Sequence, residues 1–313
     1  MVIIRANPKR FFPLLCSILI LILIILAIIP GYVLPYYTSL LISIFLYIVL
    51  TVSWGTFCGP TGYISLASAA FLGIGMYVTA LLGEEFPLPL VVLFGGLASF
   101  LFALLVGSAS LRIRGIFFAM FTFGLGEFLR HLVSWWEVSI IGRVGRWVIS
   151  ADYITIYYTM LIILVMTLLT SYTIRHSRFG LALRSIGEEE EAADHIGINI
   201  NAVKIITFAI TSFWIGATGA IIATQWGYVR PDIAFDMFYS FMPTLMALFG
   251  GIGIMYGWIL GAAVFTVIAE LLLTEFPYYY MLIFGIVIVS VLLFFPSGLA
   301  GAIQKWRKGG LVE

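Results

Sequence analysis

The chain has 313 residues, of which 62% are hydrophobic and 10% are charged, and its mean hydropathy is +1.13. A soluble domain is roughly 45–50% apolar and about 25% charged, so this composition excludes a soluble enzyme, a disordered protein and a disulfide scaffold. The apolar runs approach the roughly 20 residues that a helix needs to cross a bilayer. The sequence therefore predicts an all-α polytopic integral membrane protein. The net charge of +1 offers no basic surface for nucleic acid.

Ten membrane-spanning helices are predicted in chain order, within a range of eight to ten. The predicted spans are 11–29, 36–54, 61–82, 88–110, 115–133, 153–174, 204–224, 238–254, 257–274 and 278–295. The first run is longer than the roughly 7–15 residues of a signal-peptide core, so we expect it to remain as an uncleaved span. A re-entrant segment in 238–274 would change the number of spans. No polar stretch is long enough for a soluble domain, so residues 1–313 are predicted to form one membrane domain.

The distribution of positive residues predicts the orientation of the chain. With the N-terminus inside, twelve of the 16 lysines and arginines fall on the cytoplasmic side and four fall outside, as the positive-inside rule requires. Both termini are therefore predicted to be cytoplasmic. The longest outer loops, 134–152 and 225–237, are interpreted either as solvated loops or as a docking surface for a substrate-binding protein.

Few side chains in the sequence could carry chemistry. There is no G-x-x-x-x-G-K-[ST] motif to bind phosphates, and the three histidines lack metal-ligand spacing. We therefore expect no catalytic residue, no metal site and no bound cofactor in this chain. Glu127 and Arg130, placed near the outer end of their predicted span, lie three residues apart and are expected to pair on one helix face. A proton or ion relay is the alternative, although a proton-coupled transporter usually needs more buried carboxylates.

The loop 175–203 is the most informative polar segment. Ser185 and Glu188 fit the capping box S-x-x-E and predict a short exposed helix of about ten residues, with Glu188 to Glu191 in its first turn, where the helix dipole favours negative charge. Gly197 is predicted to end this helix, and a second short helix is predicted over 179–185. A capped helix between two spans suits docking of a cytoplasmic partner, whereas a solvated charged face is the simpler interpretation.

Glu191, Ala192 and Ala193, followed after three residues by Gly197, resemble the E-A-A-x-x-x-G loop of ABC-importer permeases. The usual continuation I-x-L-P is absent, as expected in the branch that imports branched-chain amino acids. Other segments resemble that branch in order along the chain, at 62–77, 112–120, 177–186, 250–263 and 295–299. The set is most similar to the M-type subunit of branched-chain amino-acid permeases, and urea and short-chain amide permeases share much of it.

The resemblance implies an ABC-importer permease fold and a transport subunit without catalysis of its own. In that family the E-A-A loop is a coupling helix that inserts into an ATPase subunit, which implies a cytoplasmic coupling loop at 175–203. The residues implied in ATPase coupling are Ser185, Glu188, Glu191, Ala192, Ala193 and Gly197. The implied partners are a second homologous permease, two cytoplasmic ATP-binding subunits that use the ATP, and an extracytoplasmic substrate-binding protein. The implied setting is a prokaryotic inner membrane, and the implied substrates are leucine, isoleucine and valine, with urea, amides or another amino acid as alternatives.

Two predicted spans begin with glycine-rich breaks, at 59–62 and 250–253. In transporters such interrupted segments often line the substrate path, because unwound backbone is tolerated only where it faces protein or water. The residues predicted to lie near the translocation pathway are Gly62, Ser65, Ser68, Gly251 and Gly253. Helix packing alone is the alternative explanation for these glycines. The breaks disfavour a purely structural membrane partner.

Overall fold

A computed structural model of the protein describes residues 34–279 and, beyond them, residues 282, 283, 285, 286 and 289. The described α-helices are α1 Pro35–Thr61, α2 Ser68–Leu82, α3 Leu88–Ser110, α4 Ile116–Trp136, α5 Tyr153–His176, α6 Arg178–Glu188, α7 Glu190–His195, α8 Ile200–Trp226, α9 Pro231–Ala234, α10 Phe238–Gly250 and α11 Met255–Glu275. A π-helical turn, Glu137–Ile141, continues α4, and β1 Arg146–Trp147 pairs with β2 Tyr228–Val229. The predicted span 11–29 and most of 278–295 lie outside the described residues.

Seven helical stretches in the described part of the chain are long and apolar enough to cross a membrane. They are Pro35–Thr61, Leu88–Ser110, Ile116–Ile141, Tyr153–His176, Ile200–Trp226, Pro231–Gly250 and Met255–Glu275. Helix α2 is equally apolar but has 15 residues. All eight spans predicted between residues 36 and 274 are therefore helical, and the prediction of an all-α multi-pass membrane protein is confirmed.

The glycine-rich breaks are present, and they shift one predicted boundary. Helix α1 ends where Gly62 adopts a left-handed φ of +71° and donates its N–H to Cys58 O. Residues 62–67 are not helical, so α2 begins seven residues later than predicted. The Trp54 indole donates to Ser65 O at 2.8 Å, which satisfies one carbonyl of this extended segment. The second break separates α10 from α11 and begins at Gly251, whose φ is +107°.

Helix α4 extends further than predicted. It runs to Trp136 and its π-helical turn ends at Ile141, eight residues beyond the predicted end at 133. Glu127 and Arg130 therefore do not lie near the outer end of the span, as predicted, but near its middle. The longer helix follows from the burial of Glu137, which is 0% exposed and accepts hydrogen bonds from Gly145 N and Tyr77 OH.

The core of the bundle is built on close contacts between α8, α2 and α3. A Cβ on Gly75 of α2 would overlap the carbonyl of Gly216 on α8, and a Cβ on Gly216 would in turn overlap the Ser99 side chain of α3. Lipid tails are as apolar as leucine, so helices in a membrane associate through this kind of close packing and not through exclusion of water. The small residues therefore hold α2, α3 and α8 as one tightly packed block.

The two predicted outer loops form one folded cap at the end of the bundle away from Gly62. Strands β1 and β2 are antiparallel, with Arg146 opposite Val229 and Trp147 opposite Tyr228. The Tyr228 hydroxyl also donates to Val144 O at 2.7 Å. The segments that follow α4 and α8 are thus joined by backbone hydrogen bonds.

We expect Gly75→Ala to destabilise the helix block, because the added methyl group has no room against Gly216. Overpacking of this kind costs about 1–3 kcal/mol. Gly126→Ala is the matched control, since a Cβ at this buried helical position meets no atom within 4 Å. Thermal unfolding of the two purified variants in detergent checks this, and equal melting midpoints would contradict the close packing of α2 on α8.

Candidate functional site

The loop predicted to couple to an ATPase contains two short helices with different boundaries from those predicted. Ser185 does not cap a helix: it lies inside α6 and its hydroxyl donates to Leu181 O at 3.2 Å. Glu188 ends α6, and α7 has six residues instead of about ten. The capping box is overridden because α6 buries one stripe of its surface, Gly180, Leu183 and Ile186, and this stripe continues past Ser185.

The C-terminal end of α7 is as predicted. Gly197 has a φ of +85° and donates its N–H to Asp194 O at 2.8 Å. The N–H of Ile198 donates to Ala193 O at 3.1 Å, which completes a Schellman motif. Ala193 is 1% exposed and anchors α7 on its own chain, whereas Glu191 and Ala192 are exposed. The face of α7 that is open to a partner therefore carries Glu191 and Ala192.

One carboxylate connects α7 to the transmembrane bundle. Glu190 Oε1 accepts hydrogen bonds from Tyr63 OH at 2.6 Å and from Lys204 Nζ at 2.8 Å. Its other oxygen, Oε2, lies 2.7 Å from Arg114 Nε. Lys204 Nζ donates further to Leu111 O at 3.0 Å. We call these five residues, Tyr63, Leu111, Arg114, Glu190 and Lys204, the coupling junction.

The electrostatics of the coupling junction depend on a buried cation. The Lys204 side chain is 3% exposed and its Nζ lies 4.4 Å from the centre of the Tyr63 ring. Burial by itself raises the pKa of the Glu190 carboxyl, but hydrogen bonds from Lys204 and Tyr63 and the charges of Lys204 and Arg114 outweigh it and hold that pKa below its usual value. Glu190 is therefore ionised at neutral pH and neutralises Lys204.

The coupling junction gathers the ends of several helices around α7. Tyr63 follows α1, Leu111 and Arg114 connect α3 to α4, and Lys204 lies in the first turns of α8. A cavity of about 620 Å³, lined by Arg114, Glu190 and Lys204 among others, opens beside it. Glu190 of α7 therefore contacts α8, the segment that follows α1 and the segment that precedes α4.

The coupling junction was not predicted from the sequence. Glu190 stands in a run of four glutamates, and nothing in their charge separates it from Glu191. Lys204 was counted only as one of the inside cations. One feature of the sequence could have indicated the junction: Lys204 is the single charged residue of the 27-residue helix α8. A lysine in such a helix requires a counter-ion.

The predicted pathway residues do not share one site. Gly253 lines a cavity of about 290 Å³ between α1, α5 and α6, together with Glu188 and Arg175. Arg175 Nη2 donates to Gly253 O at 2.7 Å, and its guanidinium lies 4.8 Å from the Trp258 ring centre. Ser65 and Ser68 line a separate internal space of about 10 Å³.

The remaining two pathway residues, Gly62 and Gly251, directly follow the last residues of α1 and α10, and both have a positive φ. The structure therefore brings Glu188 and Gly253 into one cavity, and it does not bring the five pathway residues together. Among the described residues, no group of three His, Cys, Asp or Glu side chains could hold a metal ion.

These features define a multi-pass membrane protein with two short helices that couple an exposed surface to the bundle. A family profile described as branched-chain amino acid transport system / permease component matches residues 36–292. The match covers most of the chain, so the chain belongs to this family.

Individual relatives agree with the family. The chain is 26% identical over 292 residues to the high-affinity branched-chain amino acid transport system permease protein LivM of Escherichia coli K12, which covers 81% of this chain and 67% of the relative. It is 27% identical over the same length to LivM of Salmonella typhimurium. It is 30% identical over 194 residues to LivH of Escherichia coli K12, which covers 57% of this chain and 61% of that relative. No solved structure matches the chain.

We expect Glu190→Gln to destabilise the chain, because it leaves the buried Lys204 ammonium without its counter-charge. Breaking a buried pair from one side costs about 3–5 kcal/mol, and replacing both partners costs much less. The double variant Glu190→Gln/Lys204→Met is therefore expected to recover most of the loss in melting midpoint. Asp194→Asn, at an exposed position of α7, serves as the control and should leave the midpoint unchanged. Additive losses in the double variant would contradict the pairing.

The lowered pKa of Glu190 also predicts a pH dependence. A carboxyl with a lowered folded-state pKa stabilises the fold fully above its unfolded pKa of about 4.3, and this contribution is lost as the pH falls through the folded value. The difference in melting midpoint between wild type and Glu190→Gln should therefore be constant from about pH 7 to about pH 5 and shrink below about pH 4. A difference that already shrinks above about pH 5 would show that another group titrates at the junction.

Proposed function

We propose that this chain is the membrane-spanning permease subunit of an ATP-binding-cassette importer for branched-chain amino acids. The observation that carries the proposal is the family match over residues 36–292, in a chain whose short helix α7 is joined by Glu190 to three membrane-spanning helices. The LivM and LivH relatives are permease proteins of high-affinity branched-chain amino acid transport systems. This chain then forms the pathway with a second, homologous permease, and two separate subunits hydrolyse the ATP.

Helix α7 is the coupling helix in this proposal. Glu191 and Ala192 face an ATPase groove, since both are exposed, and Ala193 and Gly197 fix the helix on its own chain. Residues Ser185 and Glu188 belong to α6 and support α7 from the preceding turn. When the ATPases close, they push α7, and the coupling junction moves the ends of α1, α4 and α8.

The two glycine-rich breaks, with Gly62, Ser65, Ser68, Gly251 and Gly253, form part of the pathway wall in this proposal. The two breaks lie against each other, which supports this placement. A Cβ on Gly59 of the first break would lie 2.9 Å from Ile252 O of the second break. Both breaks are also attached to parts that would move, since Tyr63 contacts Glu190 and Gly253 O accepts from Arg175.

The orientation follows from the same contacts. Arg114, Arg175 and Lys204 lie at the end of the bundle that carries α7, and positive residues favour the cytoplasmic side. These contacts support a cytoplasmic position for 175–203, with the chain in the inner membrane of a prokaryotic cell. The proposed cytoplasmic position of both termini depends on the predicted spans 11–29 and 278–295. The cap at the opposite end is the docking surface for an extracytoplasmic binding protein, which its strongly exposed Trp147 would suit.

The proposed function is tested by uptake. The chain is reconstituted in proteoliposomes with its second permease, both ATPases and the binding protein of the same system. We expect ATP-dependent uptake of radiolabelled leucine that isoleucine and valine inhibit. Inhibition by urea or acetamide but not by isoleucine would assign the chain to an amide permease, and uptake driven by an ion gradient without ATP would make it an autonomous transporter.

Charge reversal at Glu191 tests the coupling surface. We expect Glu191→Lys to abolish co-purification of the ATPases while the second permease is retained, because the substitution reverses the charge that α7 presents to the ATPase. Glu84→Lys is the matched control, since Glu84 is equally exposed but lies in the turn after α2, at the opposite end of the bundle. If the Glu191→Lys variant still co-purifies with the ATPases, α7 is not part of the interface with them.

A further inference from the structure

Helix α4 is the least enclosed of the membrane-spanning helices in the described part of the chain. In its apolar stretch 22% of the residues are buried, against 72% for α1 and for α8. Its open side carries Phe117, Phe121, Gly124, Phe128, His131 and Trp135, which recur at the three- or four-residue spacing of one helix face. This face is covered by lipid, by a partner, by the translocation pathway or by residues of this chain outside the described part.

An ion pair lies at the edge of this open face. Arg130 Nη2 is 2.8 Å from Glu127 Oε2, and the two side chains are 34% and 27% exposed. The His131 ring is also close, with Nε2 3.6 Å from the same carboxylate oxygen. Glu127 lies about 16 Å along the helix from Ile116 and about 20 Å from Ile141, so the pair sits near the middle of the span.

This position is unfavourable against lipid. An ionised side chain near the centre of a bilayer costs several kcal/mol, and such residues almost always face protein or a water-filled cavity. The nearest polar lipid head groups lie at the membrane surface, too far away to contact the pair. Next to the pair, a Cβ on Gly124 would meet no atom within 4 Å, so this side of α4 has free space. The charged edge of this face, at Glu127 and Arg130, is therefore better explained by water and substrate than by lipid.

We propose that Glu127 and Arg130 bind the zwitterionic head group of an amino acid in the translocation pathway. The pair exchanges its mutual contact for two others: Arg130 donates to the α-carboxylate, and Glu127 accepts from the α-ammonium. A guanidinium matches a carboxylate in two parallel hydrogen bonds, and the exchange leaves no charge unpaired. The identity of the ligand as an amino acid rests on the proposed function.

The attachment of α4 supports this role. Its first turn follows Gly115, which has a φ of +64°, and Arg114 before it holds Glu190 of α7. A glycine in this conformation is a point where the backbone can turn, because other residues rarely adopt it. A shift of α7 therefore pulls on the start of α4 and changes the exposure of Glu127 and Arg130. The site and the coupling helix are mechanically connected through one salt bridge.

Uptake per ATP hydrolysed by the reconstituted importer tests the site. We expect Glu127→Gln and Arg130→Gln each to lower this ratio about 10- to 100-fold, since each removes a charge-assisted contact to the substrate. The complex should still assemble and hydrolyse ATP. Glu270→Gln, a carboxylate of another span, is the matched control and should keep the wild-type ratio.

The outcomes separate this proposal from the proposed function. An unchanged ratio in both variants overturns the zwitterion site while the importer stands, and a proportional loss of uptake, ATPase activity and assembly shows that the pair only stabilises the chain. Absence of ATP-driven amino-acid uptake by the wild type overturns the proposed function, and the zwitterion site with it.

Cysteine labelling tests the water access that the site needs. We expect Gly124→Cys to react with a charged, membrane-impermeant thiol reagent above the level of the parent chain, and excess leucine to slow the reaction. Leu101→Cys, at an exposed apolar position of α3, is the lipid-facing control and should not react. Failure of Gly124→Cys to react overturns the proposal, because the open face of α4 would then be covered by lipid or protein.

Discussion

The salt bridge between Glu190 and Lys204 is the contact on which the α7 end of the bundle depends. An ammonium that is 3% exposed needs a counter-charge, and in the described chain this is the carboxylate of Glu190, which reaches it from α7. The same carboxylate takes a tyrosine hydroxyl and an arginine from two other connections. Helix α7 therefore cannot leave the bundle without exposing a buried cation.

The bundle combines two kinds of packing. Helices α2, α3 and α8 meet through glycines and serine at distances that allow no Cβ between them, so they behave as one solid block. Helix α4 has few such contacts and is mostly open to its surroundings. The bundle therefore has one tightly packed block and one helix with a wide open face. The distribution of small residues separates the two in this chain.

Much of the fold was predictable from the sequence, since apolar length alone predicts the eight spans between residues 36 and 274. Local signals were less reliable. The prediction that Gly197 ends its helix is confirmed, because it depends only on the backbone conformation of one glycine. The prediction of a capping box at Ser185 is wrong, because burial of the stripe Gly180, Leu183 and Ile186 on α6 outweighs a single cap. The coupling junction was not predictable, because it joins residues up to 141 positions apart. Such a pairing depends on how the helices are arranged, and local sequence patterns do not contain that information.

Helix α4 is held near both ends by carboxylates that lie at opposite ends of the bundle. Glu190 holds its start through Arg114, and Glu137, directly after its end, is held by the backbone of Gly145 in the outer cap. Free energies of binding are reciprocal. If an ATPase bound at α7 favours one position of α4, then a protein docked on the cap that favours the same position must strengthen the ATPase's hold on α7 by the same factor. In the proposed importer, a substrate-binding protein docked on the cap would in this way act through α4 on the ATPases at α7, although it touches neither.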